Sequence, residues 1–362
     1  MSELQVYLGT YTERTADGSG SKGIYSARFD TATGKLSALA LAAELENPSW
    51  VTVSRDRRFL YAVSEVGAGL VVAYAIDDTG ALTELNRVSS GGADPCHLAV
   101  SRSGRTLAVA NYTGGTTVAF RVGADGRIGT AWRDQHTGKG PNAQRQEKAH
   151  AHSVDFAADD RHLLSCDLGN DRVYLYRHDP RTGAVGPHRP ASVSVEPGSG
   201  PRHLALHPSE RYAYVLAELT SGVAMFAWDP AAGTLVQRQR ASTVPVGTNT
   251  TQNTTAEVAV HPSGRFVYVS NRGHDSIAVF SVDARDGRVT LLANTPTGGR
   301  TPRNFALDPS GRWLLAANQR SDTIVSFAID AATGTLTPTG ATLAVRRPVC
   351  IAFVPSAATP SR

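Results

Sequence analysis

The sequence predicts an all-β ring of seven four-stranded antiparallel blades, a β-propeller whose last blade is closed by strands from both ends of the chain. Three observations lead there. Two independent sequence markers each recur seven times, roughly 50 residues apart. The segments between them alternate apolar and polar residues, with turn clusters at their ends. The first and last segments complete each other. A period of this size calls for a repeat architecture before any local reading.

The first marker is a turn: Asp, a few small residues, Gly, any residue, then Leu, Val or Ile. It occurs at 30–36, 77–82, 179–185, 229–235, 283–289 and 330–336, with a weaker copy at 123–128. Its glycines are 34, 80, 126, 183, 233, 287 and 334, which are 46 to 57 residues apart. Asp closes such a turn with its side chain, and Gly supplies the positive φ of a hairpin. The second marker is Pro-x-x, an alternating strand, a Pro-Ser-Gly-Arg-like turn and a second strand. It is clearest at Pro201–Pro208 and Pro302–Pro309, with further copies starting at Pro48, Pro95, His150, Thr255 and Pro348.

Each unit then reads as four strands. In one unit these are 258–261, 266–270, 277–282 and 289–292. Period-two alternation and β-branched residues favour strands, and no segment reads as a helix. The long irregular stretches are 133–149 and 244–255. Four-stranded units repeated radially give a propeller with short, protected edges. A linear array would need polar capping repeats at both ends. Here the unit at Pro348 stops after one strand, while Val6–Thr10 aligns with second strands elsewhere. The seventh blade is therefore expected to take one strand from the C-terminus and three from the N-terminus. The chain is one domain, with a disordered tail expected from about residue 356.

Composition narrows the function classes. The chain has 362 residues, 41% hydrophobic and 19% charged. That excludes general disorder. No apolar run approaches the roughly 18 residues of a membrane helix. The net charge of +4 comes from 36 Lys+Arg against 32 Asp+Glu, scattered without a basic block, so neither nucleic acid nor membrane is expected as a partner. Residues 1–9 lack a secretory pattern. Three cysteines, Cys96, Cys166 and Cys350, are too few for a disulfide framework. A reducing, cytoplasmic location is expected, for a monomer or weak homo-oligomer.

Inner strands of a propeller run along a central channel, so residues opening the first strand and closing the second should ring one mouth. The third residue of each second marker is Trp50, His97, His152, His203, Glu257, Asn304 and Cys350. The second is Ser49, Cys96, Ala151, Arg202, Ala256, Arg303 and Val349. After the second strands come Thr10, Glu65, Asn111, Asp167, Glu218, Asn271 with Arg272, and Asn318. A charged, His-rich mouth where apolar strands converge is the default active-site pattern. His150 and His152, two apart on a strand, share a face. They suit a metal pair, an acid/base histidine or a hydrogen-bonding pair. A zinc ion would need more ligands, with Asp167 the nearest candidate; no metal and no cofactor are expected. Phosphate loops and Gly-x-Ser-x-Gly elbows are absent.

The runs Gly140-Pro141-Asn142, Arg145-Gln146, His150-Ala151-His152-Ser153, Asp167 to Asp171, Pro201-Arg202-His203 with Glu218, and Tyr7 to Thr12 resemble the seven-bladed propeller lactonases. That family is typified by the cytoplasmic bacterial 6-phosphogluconolactonases and is similar to fungal carboxy-muconate cyclase. The resemblance covers essentially the whole chain. It implies a site of His152, Arg202, Glu218 and Arg272, and hydrolysis of a sugar lactone, with 6-phosphogluconolactone first. A muconate-type cycloisomerase and a non-enzymatic binding platform are the alternatives. Arg202 and Arg272 would stabilise an oxyanion, and His152 would act as base near neutral pH. Glu218 would orient them or act as the base itself, and Glu257 is a second candidate carboxylate. His150, His97, His203, Asp167, Glu257, Arg303, Arg145 and Asn318 are expected around a small anionic lactone, with Lys139, Arg145 or Arg303 on a remote anion.

Overall fold

In the computed structural model, which describes residues 3–12 and 20–354, the chain forms seven four-stranded antiparallel sheets. The expected tail beyond residue 356 lies outside the described residues. Blades 1 to 6 start with inner strands Val51–Val53, Pro95–Val100, Ala151–Phe156, Pro201–Leu206, Thr254–Val260 and Pro302–Leu307. Blade 7 takes its inner strand, Pro348–Phe353, from the C-terminal end and its other three strands from Glu3–Thr10, Gly23–Asp30 and Lys35–Glu44. The closure is an antiparallel ladder pairing Val6 with Phe353, Leu8 with Ile351 and Gly9 with Cys350. Among the described residues the helical content is one 3-10 turn, Glu218–Thr220.

Some strands run longer than the alternation indicates. The unit read as 258–261, 266–270, 277–282 and 289–292 has strands Thr254–Val260, Phe266–Arg272, Ser276–Val282 and Val289–Pro296. The expected loop at 133–149 starts later, because Gln135 still pairs with Thr116. The last three residues of that outer strand, Arg133, Asp134 and Gln135, are all polar, so alternation does not mark them and backbone pairing defines the element.

Burial follows position in the blade. The second strands Phe59–Ser64, Thr106–Asn111, His162–Asp167 and Tyr212–Ala217 are buried at every residue. They lie between neighbouring blades, and the apolar layers are shared. Leu164, Cys166 and Leu175 of blade 3 pack with Val215 and Phe226 of blade 4. Phe266, Tyr268 and Val279 of blade 5 pack with Leu314, Ala316 and Phe327 of blade 6.

The seven turn glycines all have positive φ, from 63° to 86°. Each also receives the neighbouring blade. Tyrosine hydroxyls donate across blades to turn carbonyls: Tyr7 to Gly80 at 2.8 Å, Tyr61 to Gly126 at 3.0 Å, Tyr214 to Gly287 at 2.9 Å and Tyr268 to Gly334 at 2.9 Å. Thr106 does the same for Gly183 at 3.0 Å. The marker is thus both a hairpin turn and an interblade staple, which is why it recurs.

Gly334 (φ +74°) would drive a methyl into the Phe266 ring, whereas Gly104 (φ +71°) faces open space. Gly104→Ala is expected to cost about 1–2 kcal/mol, the price of a left-handed L-residue. Gly334→Ala should exceed it by about 2 kcal/mol for the overpacking. Urea denaturation of the two variants checks this, and equal losses would refute the stapling role.

Candidate active site

The mouth of the channel is built by one irregularity repeated around the ring. In six blades the pairing of first and second strands slips just after the first strand begins. A bulge of this kind leaves a residue unpaired and re-aims its side chain. The skipped positions include Cys96, His152, Arg202, Arg303 and Val349. One residue beyond the second strand in six blades, the backbone N–H is tied to a carbonyl that precedes the inner strand. Tyr11 is tied to Arg347, Glu65 to Asn47, Tyr112 to Asp94, Leu168 to His150, Glu218 to Gly200 and Gln319 to Thr301, at 2.8–3.1 Å. Five of these acceptors, Asn47, Asp94, Gly200, Thr301 and Arg347, have left-handed φ of 43° to 64°, the sharp bend that brings the chain into the hub.

This geometry corrects the register of the sequence reading in two places. The inner strand of blade 3 begins at Ala151, not His150: Ala151 pairs with Asp167 as Pro95 pairs with Asn111. His152 therefore stands level with Arg202 and Arg303, and Ser153 takes the deeper position of His97 and His203. Second, the residues closing the second strands belong to two different sets. Asn111, Asn271 and Asn318 are buried and donate to the linker carbonyls of Ser90, Thr243 and Thr297. Asp167 likewise engages linker residue His136 at 2.7 Å, and its other oxygen accepts from the N–H groups of His150 and Gly169. Asn318 and Asp167 are thus structural ties away from the mouth. Alternation turns the next residue to the opposite face, so Glu65, Glu218 and Arg272 face the channel, along with Tyr11 and Tyr112, which the sequence reading passed over as ring members.

Glu218 is the centre of the mouth. The 3-10 turn that carries it ends at Ser221, itself left-handed (φ +51°) and bonded to Asn253. Its Oε1 accepts from Arg145 Nη2 at 2.8 Å. Its Oε2 lies 3.0 Å from Arg202 Nε, 3.2 Å from Arg272 Nη2 and 4.0 Å from His152 Nε2, with no aligned hydrogen bond among them. Burial pushes the Glu218 carboxyl up, but Arg272, Arg202 and Arg145 outweigh it and hold it at about 2. Arg202 is fixed by donating Nη1 to the Ala256 carbonyl, and Arg272 by donating Nη2 to Thr255 O at 2.9 Å. Arg303 donates to the Tyr11 hydroxyl at 2.9 Å, and that hydroxyl donates on to Glu65.

His152 is buried, with Cys96 Sγ 3.7 Å from its Nδ1 and the Tyr112 ring edge-on. Burial, then Arg202 and His203, keep its pKa well below the usual imidazole value, so it is neutral at pH 7. Burial also raises the Cys96 thiol, which stays protonated. His150 takes a different course. Its ring stacks on Tyr112, with Nδ1 3.1 Å from the Tyr112 carbonyl and Nε2 3.1 Å from Glu147. The two histidines of His-Ala-His thus hold separate partners. Among the described residues no group of three or more His, Cys, Asp or Glu side chains is placed to hold a metal ion.

One layer deeper, Trp50, His97 and His203 pack ring against ring with centroids 4.0–5.2 Å apart, Trp50 tilted over His97 and His203 edge-on to both. His203 Nδ1 is 3.1 Å from Glu257 Oε1, and Asn304 donates to Glu257 Oε2 at 2.7 Å. His203 Nε2 in turn lies 3.1 Å from Arg202 Nη1. His97 and His203 are neutral through burial and neighbouring positive charge; burial lifts Glu257 to about 7. His97, His203 and Glu257 therefore form a plug under the mouth, and His203 braces Arg202 from below. Beside Trp50 and His97 a cavity is lined by Thr52, Ala99 and Asp155 among others.

The loop 136–149 supplies Arg145. Asn142 and Gln146 fold it on itself: Gln146 N–H donates to Asn142 O at 2.7 Å, and the buried Gln146 amide donates to Leu168 O at 2.8 Å. Lys139 in the same loop is exposed.

Comparison with known proteins agrees with this architecture. The family described as "Lactonase, 7-bladed beta-propeller" matches residues 5–353. A 6-phosphogluconolactonase of Bacillus subtilis is 39% identical over 302 residues, covering 82% of this chain and 83% of its own length. A 6-phosphogluconolactonase of Formosa agariphila is 33% identical over 302 residues, covering 81% and 83%. The solved structure of a periplasmic gluconolactonase from Pseudomonas aeruginosa superposes with a TM-score of 0.89 at 33% identity, covering 98% of this chain and 99% of that one.

A carboxyl held at about 2 against a free value near 4.5 stabilises the fold above pH 4.5, and that stability is lost as the pH falls from 4.5 towards 2. The cluster is thus on the order of 3 kcal/mol more stabilising at pH 6 than well below pH 2. Glu218→Gln should be less stable than the parent at pH 6, and the gap should narrow at pH 3. Urea denaturation at both pH values measures it; a gap independent of pH would show that Glu218 is not ionised in the fold.

Proposed function

Because this chain belongs to the seven-bladed β-propeller lactonase family, we propose that it hydrolyses a phosphorylated sugar lactone, 6-phosphogluconolactone, to 6-phosphogluconate. The observation that carries this reading is the charge of the mouth beside a neutral histidine. Arg145, Arg202, Arg272 and Arg303 face two carboxylates, Glu218 and Glu65, a surplus of two positive charges. A phosphate monoester carries about −1.5 to −2 at neutral pH, and guanidinium forks match its oxygens. The names of the Bacillus subtilis and Formosa agariphila relatives support the same substrate.

Lactone hydrolysis needs a base for water, charge stabilisation at the carbonyl oxygen and a proton for the leaving ring oxygen. His152 is assigned the tautomer with Nδ1–H towards Cys96 and a free lone pair on Nε2. Nε2 accepts a proton from water as the water oxygen bonds to the lactone carbonyl carbon. The oxyanion that develops is met by Arg202 and Arg272, already fixed by backbone carbonyls, so little reorganisation accompanies the step. The imidazolium formed has Glu218 Oε2 4.0 Å away to stabilise it. The intermediate then collapses, the carbon–ring oxygen bond breaks, and His152 returns its proton to the departing alkoxide. No redox or group-transfer partner enters this balance.

In this reading the product supplies the pentose phosphate route. The three unpaired, buried cysteines suit a reducing cytoplasm. No helix is long and apolar enough to cross a membrane among the described residues. Only four large apolar side chains are exposed among the described residues, Leu41, Val236, Val246 and Leu292, which favours a monomer or weak homo-oligomer.

Arg202→Ala should lower kcat for 6-phosphogluconolactone by about 10²-fold or more on folded protein, the usual loss of an oxyanion donor. Near-normal turnover would remove Arg202 from the chemistry. Because His152 is already neutral, kcat at saturating substrate, which does not report the free substrate's phosphate, should stay flat from pH 8 down to pH 6, after correction for spontaneous hydrolysis. A half-maximum at pH 6.5 would mean an ordinary, solvent-exposed imidazole.

A further inference from the structure

The guanidinium groups of the mouth are not held alike. Arg202 and Arg272 each donate to a backbone carbonyl as well as facing Glu218, and their side chains are 3% and 14% exposed. Arg303 is tied to Tyr11 and lies over its ring, with Cζ 5.3 Å from the centroid. Arg145 differs on every count. It comes from the long loop rather than a strand end, its side chain is 40% exposed, and its guanidinium is bonded to two side chains only, Glu218 at 2.8 Å and the Tyr112 hydroxyl at 3.2 Å. The loop itself is anchored one residue on, through buried Gln146, and Gly140 leaves room for that amide, because a Cβ there would meet its side chain. The base of the Arg145 side chain is thus fixed while its tip is free to exchange partners.

We propose that Arg145 is the specificity-determining residue of the site, leaving Glu218 to bind the phosphate of the incoming lactone. This rests on the lactonase reading above. A neutral lactone offers nothing to draw Arg145 away, so Arg145 stays on Glu218 and the mouth remains partly covered. A phosphorylated lactone presents oxygens that take the guanidinium in a bidentate pair. The exchange removes one of the three cations that hold the Glu218 carboxyl down. Glu218 then stabilises the His152 imidazolium more strongly, because less of its charge is compensated. Phosphate recognition and readiness for proton transfer are in this way linked through a single ion pair.

The test compares the parent enzyme with Arg145→Met and Arg145→Lys on two substrates, 6-phosphogluconolactone and glucono-δ-lactone. A charge-assisted contact of this kind corresponds to about 10- to 100-fold in affinity. Arg145→Met should lower kcat/KM for the phosphorylated lactone by that factor and should not lower it for the unphosphorylated one, where permanent release of Glu218 favours turnover. Arg145→Lys should recover part of the preference, since it keeps the charge without the fork. Equal losses on both substrates, or none on the phosphorylated one, overturn the proposal. Equilibrium binding of 6-phosphogluconate and gluconate provides a readout independent of turnover. The parent should prefer 6-phosphogluconate and Arg145→Met should not; a preference that survives the substitution refutes the role of Arg145. If the parent binds 6-phosphogluconate through Arg145 yet hydrolyses neither lactone, the assigned reaction fails while the phosphate site stands.

Discussion

Everything at the hub depends on the ladder between Val6–Gly9 and Cys350–Phe353. A propeller blade has no reason to curve unless its neighbours on both sides hold it, and the ring is held at one place by joining distant ends of the chain. The charged mouth draws on that join. Tyr11, which holds Arg303, follows directly from the closing strand, and its N–H is tied to the carbonyl of Arg347, just ahead of the C-terminal strand. Residues nearly 300 positions apart therefore share one network because a few backbone hydrogen bonds make the circle. The parallel contacts between blades, from tyrosine hydroxyl to turn carbonyl, spread the same constraint around the ring.

Within that frame the mouth is an exercise in desolvated electrostatics. A lone buried carboxylate would be neutral, and lone buried guanidinium groups would be strongly disfavoured. Glu218 and its arginines are tolerable only together, and the backbone carbonyls of Thr255 and Ala256 satisfy donors that Glu218 leaves over. The same low-dielectric setting that makes the cluster costly keeps His152 neutral. Burial thus does two opposite things within a few ångströms. It removes charge from the imidazole, and through the crowd of cations it preserves charge on the carboxylate.

The ring architecture was legible in the sequence because both markers have a stereochemical job at every recurrence: a positive-φ glycine and the start of an inner strand. His152, Arg202, Glu218 and Arg272 were also legible, since marker position and family resemblance converge on them, and the structure brings them together around Glu218 Oε2. The misreadings share one cause. Strand side chains alternate, so a slip of one residue exchanges faces. Blade 3 lacks the proline that marks the other clear starts, and His150 was taken for it. Asp167 and Asn318 were grouped with Glu218 although they sit one position earlier, where side chains tie down linkers. Tyr11 and Tyr112 would have emerged from counting one residue past each second strand. The bulges themselves leave no composition signal, because the re-aimed residues range from Cys to Arg.

The packed rings of Trp50, His97 and His203 bear on how charge is handled at the hub. A propeller hub is often pictured as a tunnel, but here three of the seven blades fill part of its bore with packed rings. Under the proposed reaction, a newly opened acid carries one more negative charge than the ring it came from, so the arginines that favour the substrate favour the product still more.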